Sequence, residues 1–123
     1  MAKKNSQKFG KDAEELARKY LVKKGYTIVQ SNWRFKKYEV DIIAESTDYF
    51  VFVEVKARST EVFGEPEMFV TLKKQQFLIA AAHNYLQEND IQKEARFDII
   101  AVLPINNNYS VKHLEGAFYP SQK

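Results

Sequence analysis

Apolar residues recur along this chain with two periods. From about Ser6 to Lys24 the spacing is helical, with Phe9, Ala13, Leu16, Ala17, Tyr20 and Leu21 on one side and Gly25 placed to end the helix. The period then shortens. Segments from about Tyr26 to Phe35, Tyr38 to Ala44 and Tyr49 to Ala57 are rich in Val, Ile, Phe and Tyr and predict strands, with Glu45-Ser46-Thr47-Asp48 as a polar turn between the last two. A loop containing Gly64 and Pro66 is expected between Ser59 and Phe69. A second helix follows, from Thr71 as N-cap to about Gln87, with Leu72, Ile79, Ala82 and Leu86 marking its buried face. Phe97 to Leu103 is almost wholly apolar and reads as a central buried strand, and Tyr109 to Leu114 as a short last one. This order predicts an α/β layer fold around a central mixed sheet flanked by helices.

No repeat, low-complexity tract or Pro/Gly/Ser-rich linker divides the chain. Its 123 residues suit a single domain, with residues 1–5 as a flexible basic start. Apolar residues at 45% and charged residues at 28% point to an ordered globular protein rather than a disordered one. No apolar run approaches the roughly 20 residues that would span a bilayer. The basic N-terminus leads into no apolar signal-peptide core, so a cytoplasmic protein without a membrane partner is expected.

Cysteine is absent, which excludes disulfides, thiolate nucleophiles and Cys-type zinc sites. The two histidines offer little more: His83 reads as a packed residue at the edge of the core and His113 as a cap on the sheet edge. Chemistry would have to come from carboxylates, lysines and hydroxyls. The net charge of +3 leans mildly towards polyanionic partners. Lysines and arginines cluster at Lys3, Lys4, Lys8 and Lys11, at Lys23 and Lys24, at Arg34, Lys36 and Lys37, and at Lys73 and Lys74. Ordinary solvated surface charge would also account for such clusters.

Phe50-Val51-Phe52-Val53-Glu54-Val55-Lys56 is the most informative segment. Alternation along a strand puts Phe50, Phe52, Glu54 and Lys56 on one face and the valines on the other. A carboxylate and an ammonium at the end of a doubly apolar strand cost several kcal/mol unless they are satisfied. In Tyr38-Glu39-Val40-Asp41-Ile42-Ile43-Ala44, Asp41 likewise runs into apolar residues. An antiparallel hairpin would bring Asp41 beside Glu54. Two such carboxylates repel unless a proton or cation intervenes, and oxygen ligands of this kind suit Mg2+ or Mn2+. Lys56 would then orient or deprotonate an attacking water, or stabilise charge on a phosphate in the transition state. The plainer alternative is that Glu54 and Lys56 pair with each other or with solvent at a strand end. Glu14 lies about 20° from Leu21 on the helix and so borders its buried face; a solvated helix charge is its plain reading.

Asn32-Trp33-Arg34, Glu39-Val40-Asp41-Ile42-Ile43-Ala44 and Phe52-Val53-Glu54-Val55-Lys56-Ala57-Arg58 together resemble the YraN family of small bacterial proteins. The likeness continues through Phe63-Gly64-Glu65-Pro66, Val70-Thr71 with Lys74-Gln75, Arg96-Phe97-Asp98 and Ala117-Phe118, and covers the chain from about Gly10 to Phe118. That resemblance implies a restriction-endonuclease-like fold similar to archaeal Holliday-junction resolvases. It implies a D…E-x-K site of Asp41, Glu54 and Lys56, with the helical acidic residue Glu14 joining Asp41 and Glu54 as a metal residue. It also implies that Lys74 and Gln75 face nucleic acid and that Arg34 and Arg58 lie near the site. The chain departs from the family pattern in carrying Tyr38 and Ala13 where glycine is usual; Tyr38 would narrow the approach of a backbone to a substrate. Similar resolvases are dimers, which allows a homodimer here, although no segment declares an interface.

The function expected from these residues is that of a metal-dependent endonuclease hydrolysing DNA phosphodiester bonds. The alternatives are a non-catalytic nucleic-acid-binding module, using Arg34, Lys36, Lys37, Lys74 and the aromatics Trp33, Phe35 and Tyr38, or an accessory protein of a DNA-processing complex. Binding alone needs no acidic pair, which would repel phosphate, so the pair of Asp41 and Glu54 favours the nuclease.

Overall fold

Ala13, Ala17 and Leu21, spaced by four, are completely buried along one stripe of helix α1 (Ala2–Lys23). Two small side chains let the helix axis come close to the sheet it covers. The helix ends as its sequence predicts: Gly25, at φ 101°, allows the N–H of Tyr26 to reach the Leu21 carbonyl and its own N–H to reach that of Val22, each at 3.0 Å. In the computed structural model, residues 2–57 and 70–120 are described, the side chains of residues 2–10 excepted. The loop expected at 59–69 and Arg58 lie outside the described residues. Helix α1 begins at Ala2 rather than near Ser6, so it takes in residues 2–5, expected as a flexible start.

A five-stranded sheet follows in chain order: β1 (Thr27–Phe35), β2 (Tyr38–Glu45), β3 (Tyr49–Ala57), β4 (Glu94–Ile105) and β5 (Asn108–Phe118). All neighbours are antiparallel except β3 and β4, which run parallel. Parallel neighbours need a crossover, and helix α2 (Leu72–Glu88) lies within it. Strand β3 is the centre of the sheet and is covered on both faces. Val51 and Val53 pack with α1, whereas Phe50 and Phe52 pack with α2. This is the α/β arrangement with a central mixed sheet between helices, consistent with a restriction-endonuclease-like fold.

Helix α2 starts at its expected cap: the Thr71 hydroxyl accepts the Lys74 N–H at 3.1 Å. Its buried face differs from the expected one. Leu78, Ala81, Ala82 and Tyr85 are buried, Ile79 and Leu86 only partly, and Leu72 is 69% exposed. The large ring of Tyr85 sets this rotation. It packs edge-on to Trp33 (5.0 Å between centroids) and Phe52 (6.0 Å), while Ala81 and Ala82 give the helix room to approach. Strands β4 and β5 are longer than expected because Asn106 and Asn107 both adopt left-handed φ, at 46° and 63°, and close a two-residue hairpin turn.

Candidate functional site

The site begins where strand β2 stops being regular. Strict alternation would put Val40 and Ile42 on one face, yet Val40 packs on the α2 side and Ile42 on the α1 side. On the neighbouring strand Asn32 turns to φ 52°. The β2–β3 ladder ends at the pair Ile42–Val53. One step further, the N–H of Val55 donates 2.8 Å to Asp41 Oδ2, so a side-chain carboxylate occupies the place of a strand carbonyl. Just past the ladder's end, Asp41 lies close enough to Glu54 for their charges to interact, as the hairpin expectation required.

Glu54 is 6% exposed, and Lys56 follows on the same strand face. The Lys56 ammonium stands 3.6 Å from Glu54 Oε2, and the Lys74 ammonium, reaching from the first turn of α2, stands 3.6 Å from Oε1. Both are ion pairs beyond hydrogen-bond length. Glu54 Oε1 is thus a buried side-chain oxygen with no hydrogen-bond partner among the described residues.

Burial pushes the carboxyl of Asp41 up to about 7, and the charge of Glu54 adds to this; the Val55 N–H pulls the other way, Glu14 pushes it further up and Lys74 opposes. Glu14, half-buried on α1, therefore contributes to the field at this site from the opposite layer. Strands β2 and β3 and both helices converge on one acidic locus. Among the described residues, no three carboxylate or histidine side chains stand close enough to hold one ion together. Asp41 and Glu54 stand together here, and Glu14 acts on Asp41 through its charge.

The other expected site residues fall elsewhere or behave differently. Arg34 is exposed and bonds Glu39 Oε2 across the β1–β2 hairpin at 3.2 Å. Gln75 turns back to donate to the Val70 carbonyl at 3.1 Å, holding the entry to α2. Lys74 faces Glu54 and lies over the rings of Tyr38 and Phe77, at 5.7 and 5.3 Å from their centroids. Those rings belong to an aromatic wall: Tyr38 and Phe77 touch at 4.8 Å, Phe77 and Phe35 at 5.9 Å, and Phe35 stacks on Trp33 at 5.7 Å.

A second polar cluster escaped the sequence reading. Asp98, completely buried, accepts from Arg96 Nε (3.0 Å) and Nη2 (2.8 Å) and from the Gly116 N–H (3.0 Å), and pairs with His113 Nε2 at 2.7 Å. The other ring nitrogen of His113 meets the Tyr20 hydroxyl at 3.2 Å, and Arg96 also bonds the Tyr26 hydroxyl. Burial alone would raise the Asp98 carboxyl, but His113, Arg96 and the Gly116 N–H outweigh it and hold it below the usual carboxylate range. His113 is thus a buried link between α1, β4 and β5 rather than a cap on an edge, while His83 is exposed on α2. The available signal was a lone aspartate inside the apolar run Phe97 to Leu103.

The sequence profile of the Uncharacterised protein family UPF0102 matches residues 13–102, a span that contains Asp41, Glu54, Lys56 and Lys74. A UPF0102 protein of Flavobacterium psychrophilum is 46% identical over 110 residues, covering 89% of this chain and 92% of its own. One of Phocaeicola vulgatus is 42% identical over 112 residues, covering 91% and 93%. One of Alkaliphilus oremlandii is 42% identical over 116 residues, covering 92% and 99%. No helix among the described residues is long and apolar enough to cross a membrane. With its profile match and its relatives both running through the site strands, the chain belongs to the UPF0102 family, the YraN family of the sequence resemblance.

Proposed function

We propose that the protein is a nuclease that hydrolyses DNA phosphodiester bonds with the help of a divalent cation held by Asp41 and Glu54. The observation that carries this reading is the unpartnered buried oxygen of Glu54 beside a second, half-buried carboxylate, that of Asp41. Uncompensated oxygens of this kind fit Mg2+ or Mn2+, which need only one or two carboxylates when water and phosphate complete the shell. When bound, the cation would supply an activated water and neutralise charge on the scissile phosphate.

The chain's own groups then have distinct tasks. Asp41 is held rigidly by the Val55 N–H, which fixes the direction of its second oxygen. Lys56, on the same strand face as Glu54, presents its ammonium where negative charge grows on the phosphate or where a water must be oriented. Lys74 competes with the cation for Glu54 Oε1 and offers a positive charge to an incoming phosphate. Glu14 adds negative charge that favours cation binding. Arg34 would contact the nucleic acid, and the same role is proposed for Arg58.

A second reading is a nucleic-acid-binding module without turnover. The flanking of Glu54 by both Lys56 and Lys74 favours it, since two ammoniums neutralise the carboxylate without a metal. A cleavage screen separates the two. Duplex, single-stranded, flap and four-way DNA are incubated with Mg2+, Mn2+ or EDTA. Cleavage that EDTA abolishes supports the nuclease, and salt-dependent binding without cleavage supports the module.

A further inference from the structure

Beside the carboxylate pair lies a cavity of about 470 Å³, lined by Tyr38, Thr71, Lys73, Lys74, Gln76 and Phe77. We propose that this cavity is a subsite for one unpaired nucleobase of a single-stranded or frayed DNA segment, a proposal that rests on reading the neighbouring site as one for nucleic acid. Its walls combine the two things such a base needs. Tyr38, 36% exposed, and Phe77 supply aromatic surface, and Lys73 and Lys74 supply charge for the adjoining phosphate. Lys37 adds a further ammonium 6.0 Å from the Tyr38 ring, and Lys36 one at 5.5 Å from Phe35.

The geometry defines how the base sits. Tyr38 and Phe77 are already in contact, with centroids 4.8 Å apart and planes tilted by 56°, so a base cannot slide between them. It stacks on the open side of the wall instead. Lys74 ties this subsite to the acidic centre: one ammonium lies over both rings and 3.6 Å from Glu54 Oε1. A duplex keeps its bases stacked inside and has none to offer to a side cavity. The subsite therefore selects for DNA with an unpaired nucleotide next to the phosphate presented to Asp41 and Glu54.

The test is a binding titration of the full chain in Ca2+, using a labelled single-stranded oligonucleotide, an all-abasic sugar–phosphate strand of equal length, and a blunt duplex. The intact strand binds tightest. Tyr38→Ala weakens that binding by about tenfold, the scale of losing one stacked base, without changing the salt dependence. Tyr38→Phe restores it, and the abasic strand is insensitive to all of these changes. Should Tyr38→Ala fail to fold, Tyr38→Leu keeps an apolar contact on Phe77 and tests the same loss. Equal binding of intact and abasic strands, or unchanged affinity in the folded Tyr38 variants, overturns the subsite, as does a wild-type protein that binds no strand. Cleavage is read separately through Asp41 and Glu54. A protein that stacks bases but cuts nothing retains the subsite and loses the nuclease; a protein that cuts but ignores Tyr38 does the reverse.

Discussion

Asp41 takes the backbone N–H of Val55 on its carboxylate at 2.8 Å, one residue beyond the glutamate it faces. A strand normally satisfies that N–H with a carbonyl of its neighbour, but β2 has turned away by this point, and the side chain closes the gap. The bond pins Asp41 in a half-buried place next to Glu54, where ionising it is costly. Fixed geometry and unfavourable charge thus have the same origin.

That origin gives a sign for the pH dependence. The carboxyl of Asp41 rises from 3.8 to about 7 on folding. Between these values the native state holds a proton that the unfolded state has lost, so this group's contribution makes stability fall as pH rises from about 4 to about 7. Asp41→Asn keeps an acceptor for Val55 and removes the charge. Thermal melting in EDTA should show the variant raised by a few degrees at pH 8 and unchanged near pH 4. A variant less stable at pH 8 would show that Asp41 ionises there without penalty.

In the proposed site a divalent cation would compete with Lys74 for one oxygen of Glu54, which makes a two-sided prediction. Mn2+ should raise the melting temperature at pH 8 with one-to-one stoichiometry, and the Asp41→Asn/Glu54→Gln double variant should lose the effect. Lys74→Ala should bind Mn2+ more tightly than wild type in the absence of DNA. It should nonetheless bind DNA more weakly, with a salt slope shallower by about one. Calorimetric titrations of Mn2+ and of DNA check the two halves independently.

Asp98 is a structural counterpart to this pair, satisfied where Glu54 is not. It ties β4 to β5 through Gly116 and to α1 through His113 and Tyr20. Asp98→Ala would leave Arg96 and His113 facing an empty place, at a cost of about 3–5 kcal/mol. Because its folded carboxyl is held below 3.8, its stabilisation is complete above that value and lost as pH falls through the lowered one. Denaturant melts from pH 7 down to pH 2 should show an acid-sensitive limb in the wild type that is flatter in the variant.

In the proposed nuclease Lys56 would act on the reaction more than on binding, because it shares a strand face with Glu54 and pairs with it at 3.6 Å. Lys56→Ala should lower kcat by about a hundredfold or more while DNA affinity in Ca2+ changes little. Single-turnover rates set beside Ca2+ binding curves measure this split. A matched loss in both would make Lys56 a binding residue.

How much of this was legible beforehand follows the range of each interaction. Period and turn chemistry are local, and they give the seven elements among the described residues, the Thr71 cap and the Gly25 ending. The meeting of Asp41 and Glu54 follows from one hairpin, and Lys56 from alternation on one strand. The features missed all depend on contacts between distant elements. The break at Val40 and Asn32 lies within strands whose composition looks regular. Tyr85 rotates α2 because of rings on two different strands, β1 and β3, leaving Leu72 in solvent. Lys74 reaches Glu54 across the crossover, and Asp98 gathers its partners from β4 and β5, with α1 joined through His113.

The most direct test of the account is the rate at which the purified full chain cleaves a panel of duplex, single-stranded, flap and four-way DNA in Mn2+, measured beside the Asp41→Asn/Glu54→Gln variant and an EDTA control. A cation held by Asp41 and Glu54 predicts Mn2+-dependent cleavage, strongest where a nucleotide is unpaired, that falls to the EDTA background in the double variant. A wild-type protein that cleaves no member of the panel in either Mn2+ or Mg2+, or a folded double variant that cleaves at the wild-type rate, would contradict it.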